Sequence, residues 1–226
     1  MGNDMKLTPR FANMSRSYSL VDSLCFGVDR ALRAVLNNPM TTGRPSPAAV
    51  VGDASLTLSE RRDAARLMRV NHAGEVCAQA LYHGQSLACH STVTKDQLLE
   101  AAIEEGDHLF WCAERLHELQ SHTSYLSLLW YIGSFGIGFL AGVAGDRWSL
   151  GFIAETEAQV VQHLEKHCAL LPSRDQKSLR ILEVMQLDEK KHQDDAVQRG
   201  AAHLPPFIKK CMAFTSRVMV KTAYWL

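Results

Sequence analysis

Glu75, Glu105 and His108 form one set of candidate metal ligands, and Glu157, Glu189 and His192 form a second with nearly the same spacing. In each set a lone glutamate precedes a Glu-x-x-His pair, by 30 residues in the first and 32 in the second. Residues three apart share a helix face, so the Glu and His of each pair can reach one ion. At a rise of about 1.5 Å per residue, such an interval holds one helix, a turn and the start of an antiparallel return. Four helices of this kind bring four carboxylates and two imidazoles into one core. That donor set serves redox chemistry with oxygen or peroxide, or the handling of iron.

A single glutamate on a helix is ordinarily a solvated charge, but these four sit in apolar stripes. Glu105 shares its stripe with Leu98, Ala102, Leu109, Cys112 and Leu116, and Glu157 with Leu150, Ile153 and Leu164. Glu189 aligns with Leu182, Met185 and Ala196, and Glu75 with Met68, Ala78 and Tyr82. An isolated buried carboxylate must be neutralised or find a partner. No Lys or Arg lies in these stripes, and two divalent cations balance four carboxylates. Oxygen-rich donors with one imidazole per ion and no thiolate suit iron or manganese. Glu105 and Glu189 are assigned as bridging ligands, Glu75 and Glu157 as terminal ones. A metal-bound imidazole usually gives its second N–H to a carboxylate. Asp188 is therefore expected to partner His108, and Glu104 to partner His192. His163, six residues after Glu157, is expected to act beside the ligands or on the substrate side. His72 has no counterpart in the second set and is left out.

The rest of the chain must position these groups. Its 226 residues, 46% hydrophobic, suffice for one full core, and 24 basic against 24 acidic residues leave no global field that favours nucleic acid. The six cysteines contain no Cys-x-x-Cys pair, which excludes a zinc ribbon or a thioredoxin-like motif and reads as reduced thiols. Residues 1–18 are expected to be disordered, and no apolar signal segment is read at the start. Residues 20–35 read as an amphipathic helix, followed by a Pro/Gly-rich loop to residue 55. Residues 1–56 are thus an N-terminal extension and 57–226 the metal-binding domain. Capping boxes at Thr57–Glu60, Thr94–Gln97 and Ser173–Gln176, with a cap at Asp146, predict ligand-bearing helices over 58–89, 94–120, 147–170 and 174–199. The fold class is all-α: a ferritin-like four-helix bundle with flanking amphipathic helices at both ends.

Residues 125–145 carry no charge and include five glycines. A membrane span there would place half of the bundle on the far side of the bilayer. The segment is therefore read as a crossover helix, buried or lying in a membrane surface. Residues 205–226 mix apolar side chains with Lys209, Lys210, Arg217 and Lys221, the pattern of an interfacial helix.

Asn71-His-Ala-Gly-Glu75, Glu105-Gly-Asp-His108, Glu155-Thr-Glu157 with His163, and Asp188-Glu-Lys-Lys-His192 together resemble the motifs of the demethoxyubiquinone hydroxylase family. The resemblance covers about residues 58–226. It implies two iron ions per chain, with Glu75, Glu105, His108, Glu157, Glu189 and His192 both ligating and catalytic. It implies O2 as co-substrate, reducing equivalents from NADH, and a polyprenylated quinone or quinol whose ring gains a hydroxyl. No Gly-x-Gly-x-x-Gly occurs, so a nicotinamide site of the Rossmann type is not supported. The expected place is the cytoplasmic face of a bacterial cell membrane, as a peripheral protein. A homodimer and a lipid-binding or biosynthetic-complex partner are further expectations. Three other readings stay open at this level: a quinol oxidase of the alternative-oxidase type, ferritin-like iron storage, and a quinone-binding assembly factor with structural metals.

Overall fold

The computed structural model describes residues 19–52 and 54–226. The expectation for residues 1–18 lies outside them. Among the described residues seven α-helices and no strands occur: α1 (Leu20–Val35), α2 (Leu58–Ala88), α3 (Thr92–Glu118), α4 (Ser127–Val143), α5 (Asp146–Leu170), α6 (Gln176–Gln198) and α7 (Pro206–Trp225). The chain is all-helical, as the hydrophobic periodicity requires.

Four of these helices make the bundle, and cross-helix bonds give their directions. Arg61 reaches Gln120 and Gln79 reaches the Ala102 carbonyl, so α2 and α3 are antiparallel. Tyr82 meets Glu157 and Asn71 meets His167, so α2 and α5 are antiparallel. His108 meets Asp188 and Arg115 meets Ser178, which makes α3 and α6 antiparallel too. The stripe residues named above fill the interior: Met68, Leu109, Cys112, Leu182 and Met185 are fully buried.

The helix starts agree with the sequence reading at Thr57 and depart from it elsewhere. Thr57 and Glu60 form the reciprocal capping box. For α3 the cap is Ser91, which accepts from the Thr94 amide, so the Thr94–Gln97 pattern lies inside the helix. For α6 it is Asp175, which accepts from the Ser178 amide and also binds buried Arg115 at 2.7 Å. A cap that also neutralises a buried guanidinium gains a charge-assisted bond that Ser173 could not supply. Asp146 does not cap α5. Its carboxylate takes the backbone N–H groups of His90 and Ser91, fastening the α2–α3 turn to the start of α5.

α4 runs parallel to α2 on the outside of the bundle, against Leu81, Gly84, Gln85 and Ala88. Gly84, Gly138 and Gly142 permit that close approach, the usual role of small residues at four-residue spacing between helices. A Cβ at Gly138 would lie 2.9 Å from the Leu81 Cα, and the obstacle is backbone that cannot move aside. Gly138→Leu is expected to destabilise the fold by about 3 kcal/mol. Differential scanning calorimetry should show this as a midpoint lowered by roughly 6–12 °C for a chain of this size.

α7 lies along α2, with Met219, Val220 and Ala223 packed on Val70, Ala73 and Trp130. Its far end is tied by Lys209 to Glu155 at 2.6 Å, and its C-terminus by the Tyr125 amide to the Leu226 carbonyl. Other apolar residues of α4 and α7 face outward. Leu128, Leu129, Ile132, Phe139, Leu140 and Val143 of α4 are exposed, as are Phe207, Phe214, Val218 and Trp225 of α7. Among the described residues no helix is long and apolar enough to cross a membrane.

Candidate metal centre

Glu75 on α2, Glu105 and His108 on α3, Glu157 on α5, and Glu189 and His192 on α6 converge at mid-bundle. All six are buried, His192 least so at 8% exposure. They form two donor groups, Glu75–Glu105–His108–Glu189 and Glu105–Glu157–Glu189–His192, each with its donor atoms within 4.8 Å of one another. Glu105 and Glu189 belong to both groups. His108 Nδ1 lies 3.2 Å from Glu105 and 3.0 Å from Glu189. His192 Nδ1 lies 3.0 Å from Glu105 and 3.3 Å from Glu189.

The ring nitrogens turned away from the centre settle the proton question. His108 Nε2 is 3.0 Å from Asp188, and His192 Nε2 is 2.9 Å from Glu104. Burial pushes the Asp188 carboxyl up, but bonds from His108 and Arg44 outweigh it and hold the pKa down to about 2. Glu104 is likewise lowered, chiefly by its bond from His192. Ionised carboxylates only accept, so each Nε2 carries the hydrogen. Each Nδ1 then faces carboxylate oxygens, and in a neutral imidazole that is acceptor against acceptor, which is repulsive unless a proton or a metal ion lies between them.

Two of the acids carry the same message, while bonds from both imidazoles outweigh burial and hold Glu105 low. Burial, and then neighbouring glutamates, push Glu75 and Glu157 well above the usual carboxylate range. Burial opposes a charged His108 or His192, yet bonds to the surrounding carboxylates hold both imidazoles well above their ordinary value. Without metal the centre recruits protons to offset its negative charge. Glu105 Oε1, Glu157 Oε2 and Glu189 Oε1 are buried without a well-directed hydrogen bond. Buried polar atoms in that state call for an ion or water that satisfies them. The residues therefore fit two divalent cations, which would replace those protons on binding. The cluster can hold metal.

A model of the ubiquinone biosynthesis protein COQ7 family matches residues 62–223 of this chain. The chain belongs to the COQ7 family. A relative from Nitrosococcus oceani, named 3-demethoxyubiquinol 3-hydroxylase, is 50% identical over 211 residues, covering 93% of this chain and 99% of the relative. One of the same name from Xanthomonas oryzae pv. oryzae is 52% identical over 212 residues, covering 94% and 97%. A third, from Xanthomonas euvesicatoria pv. vesicatoria, is 50% identical over 212 residues. The COQ7 match spans α2 to α7 almost entirely, so it takes in every residue of the cluster.

An apolar cavity of about 360 Å³ opens beside this COQ7-family centre, between α2, α4, α5 and α7. Leu81, Trp130, Ile137, Val160, Phe207 and Met219 contribute to its walls, and Glu75, Glu157 and Glu189 also line it. His163 is on this wall. Its ring packs 3.8 Å from that of His167, and its Nε2 has no hydrogen-bond partner. It is therefore placed on the cavity side and is not hydrogen-bonded to a ligand carboxylate. His72 is fully buried away from the centre, with Nε2 2.7 Å from Asn37 Oδ1.

Two contacts were not read from the sequence. The Tyr82 hydroxyl donates to Glu157 Oε1 at 2.7 Å. In the sequence Tyr82 reads as a core residue, and its place seven residues after Glu75 puts it on the same helix face. Arg44 binds both Asp107 and Asp188, at 3.0 and 2.8 Å. It sits in a loop without periodicity, where nothing local reveals its partners.

Proposed function

We propose that this chain is a di-iron monooxygenase that hydroxylates the ring of a demethoxyubiquinol, or of the matching quinone, in ubiquinone biosynthesis. The observation that carries the reading is the apolar cavity with ligand carboxylates in its wall, bounded by two helices whose outer faces are themselves apolar. A polyprenylated ring needs such a route from lipid to a redox centre. The relatives' shared name supplies the substrate class.

Two iron ions in the cluster would supply the O2-activating redox chemistry. The overall balance replaces one ring C–H by C–OH, releases the second oxygen atom as water, and consumes two electrons and two protons from a reductant, NADH or the quinol pool. The chain's own residues do the rest. Glu105 and Glu189 face both metal positions. Glu75 and Glu157 each face one. Asp188 and Glu104 fix the imidazole tautomers, and Tyr82 orients Glu157 by its hydroxyl. Leu81, Trp130 and Ile137 keep water from the cavity, which protects a reactive centre from side reactions.

Docking on the cytoplasmic face of a bacterial membrane is part of the same proposal. The exposed apolar residues of α4 and α7 would enter the headgroup boundary, while Lys210, Arg217 and Lys221 meet anionic lipid.

The test is a bacterial strain that lacks its own demethoxyubiquinone hydroxylase, supplied with this chain and assayed for quinones by mass spectrometry. Restored ubiquinone supports the reading. Persistent demethoxyubiquinone, with the protein expressed and iron-loaded, would sink it. Quinol oxidised to its quinone with no oxygen atom added to the ring would instead mark a quinol oxidase, and iron well beyond two ions per chain would mark storage.

A further inference from the structure

The two halves of the centre are built alike but sealed differently. On the His108 side, the segment before the bundle is strapped onto α3. Thr42 gives its backbone N–H to Asp107 at 2.9 Å and its hydroxyl to the same carboxylate. The Met40 carbonyl lies against Gly106, where any Cβ would collide with it. Arg44 then joins Asp107 to Asp188, and its guanidinium sits 5.0 Å over the Trp111 ring. The Trp111 indole N–H donates to the Arg44 carbonyl. Asp188, held this way, is the carboxylate that meets His108 Nε2.

On the His192 side the same chain of contacts is open. Glu104 takes the place of Asp188, and its nearest cation is Lys191, 3.7 Å away and 61% exposed. A cavity of about 190 Å³ reaches this side, lined by Tyr82, Glu100, Glu104, Lys191, His192 and Asp195. Its walls mix these polar groups with Leu98, Leu150 and Ile153, and water-borne groups can approach the second imidazole along the polar part. His108 itself is 0% exposed.

We propose that Arg44 is a positioning residue that makes the two metal positions unequal. By locking Asp188 on His108, it holds the ion bound by Glu75 and His108, while the ion bound by Glu157 and His192 exchanges through the cavity beside Glu104. This rests on the two-metal reading above. The physical reason is that a ligand leaves a metal by swinging away from it. His108 cannot swing while Asp188 is clamped by a guanidinium that is itself fixed to Asp107 and Trp111. His192 packs edge-on against Tyr82, but its outer hydrogen bond goes to a carboxylate with a loose, solvated partner, so its ion is lost and regained more readily. Arg44 is suited to the task because its planar fork reaches two carboxylates at once, which a lysine ammonium does less rigidly.

The experiment loads the full chain anaerobically with ferrous iron, confirms the stoichiometry, and follows release to a ferrous chelator by absorbance. The wild type is expected to release one ion per chain quickly and the other slowly. Arg44→Ala should speed the slow phase roughly tenfold, in line with the loss of an outer hydrogen-bond partner, and leave the fast phase unchanged. Arg44→Lys should fall between. Lys191→Ala should leave the slow phase alone.

A variant that merely loosens the bundle would speed both phases together, and that result overturns the proposal. So does a single release phase in the wild type with two ions bound. Binding of fewer than two ions per chain would instead strike at the di-iron reading itself.

Discussion

Glu189→Ala should empty both metal positions, whereas Glu157→Ala should empty one. The difference follows from membership: Glu189 belongs to both donor groups and Glu157 to one. Removing a shared carboxylate takes one oxygen donor from each ion and leaves an excess positive charge in a buried site. Removing Glu157 leaves the Glu75–Glu105–His108–Glu189 group intact. Iron per chain, measured after equilibration at limiting free ferrous iron, should fall from two to near zero in the first variant and to about one in the second. Turnover should fall in both by more than the roughly 10–100-fold that loss of an outer partner of a metal ligand costs.

Stability separates this outcome from simple misfolding. In the metal-free protein the buried carboxylates are costly to ionise, through burial first and neighbouring glutamates second, as the raised Glu75 and Glu157 show. Deleting one of its carboxylates should therefore leave the metal-free melting temperature unchanged or higher. What Glu189→Ala loses is the gain on adding metal. That gain is about 2.7 kcal/mol at a free metal concentration one hundred times the dissociation constant. Metal-free melting well below the wild type would mean that Glu189 is structural and would sink the assignment.

The sequence was most legible where periodicity and chemistry coincide. Glu105 and His108 are three apart in an apolar stripe, and so are Glu189 and His192. Spacing alone puts each pair on one face, and the structure places them together. The directly preceding acids, Glu104 and Asp188, also meet the imidazoles of the opposite helix, because antiparallel α3 and α6 set each beside the other's histidine. Legibility failed where contacts are long-range and aperiodic. Arg44 lies 144 residues from Asp188, in a loop whose shape is set by Met40 against Gly106 and Thr42 against Asp107. No local pattern encodes that. The capping errors have a related cause. Ser173 and Thr94 satisfy the local rule, but Asp175 gains a buried arginine from α3 and so wins the helix start. The exposed apolar faces of α4 and α7 were visible as composition. That α4 lies parallel to α2, with a cavity left between it, α5 and α7, needed the glycine contacts.

That cavity leads to the second large effect. Val160 lies one turn beyond Glu157 on α5 and lines the cavity. Val160→Trp should fill the space beside the ligand carboxylates and cut kcat/KM on demethoxyubiquinol about 100-fold, the scale of loss when a substrate is displaced by an ångström or more. Val160 is not in either donor group, so two irons per chain should remain, and O2 should still oxidise them. The quinone product, read by mass spectrometry, is what should disappear. Met219→Trp, which enters from α7 on the opposite wall, should do the same without touching α5. Agreement between the two would tie the loss to the filled space and not to a disturbed Glu157. The alternative approach to the centre, past Glu104 and His192, is smaller, about 190 Å³, and mixes Lys191, Asp195 and Arg199 with Leu98, Leu150 and Ile153. An apolar ring gains less there, since stabilisation on burial scales with apolar surface removed from water, at about 25 cal/mol per Å². Unchanged hydroxylation in both tryptophan variants would mean that the ring does not use the apolar cavity. The case for lipid-side entry between α4 and α7 would then fall with it.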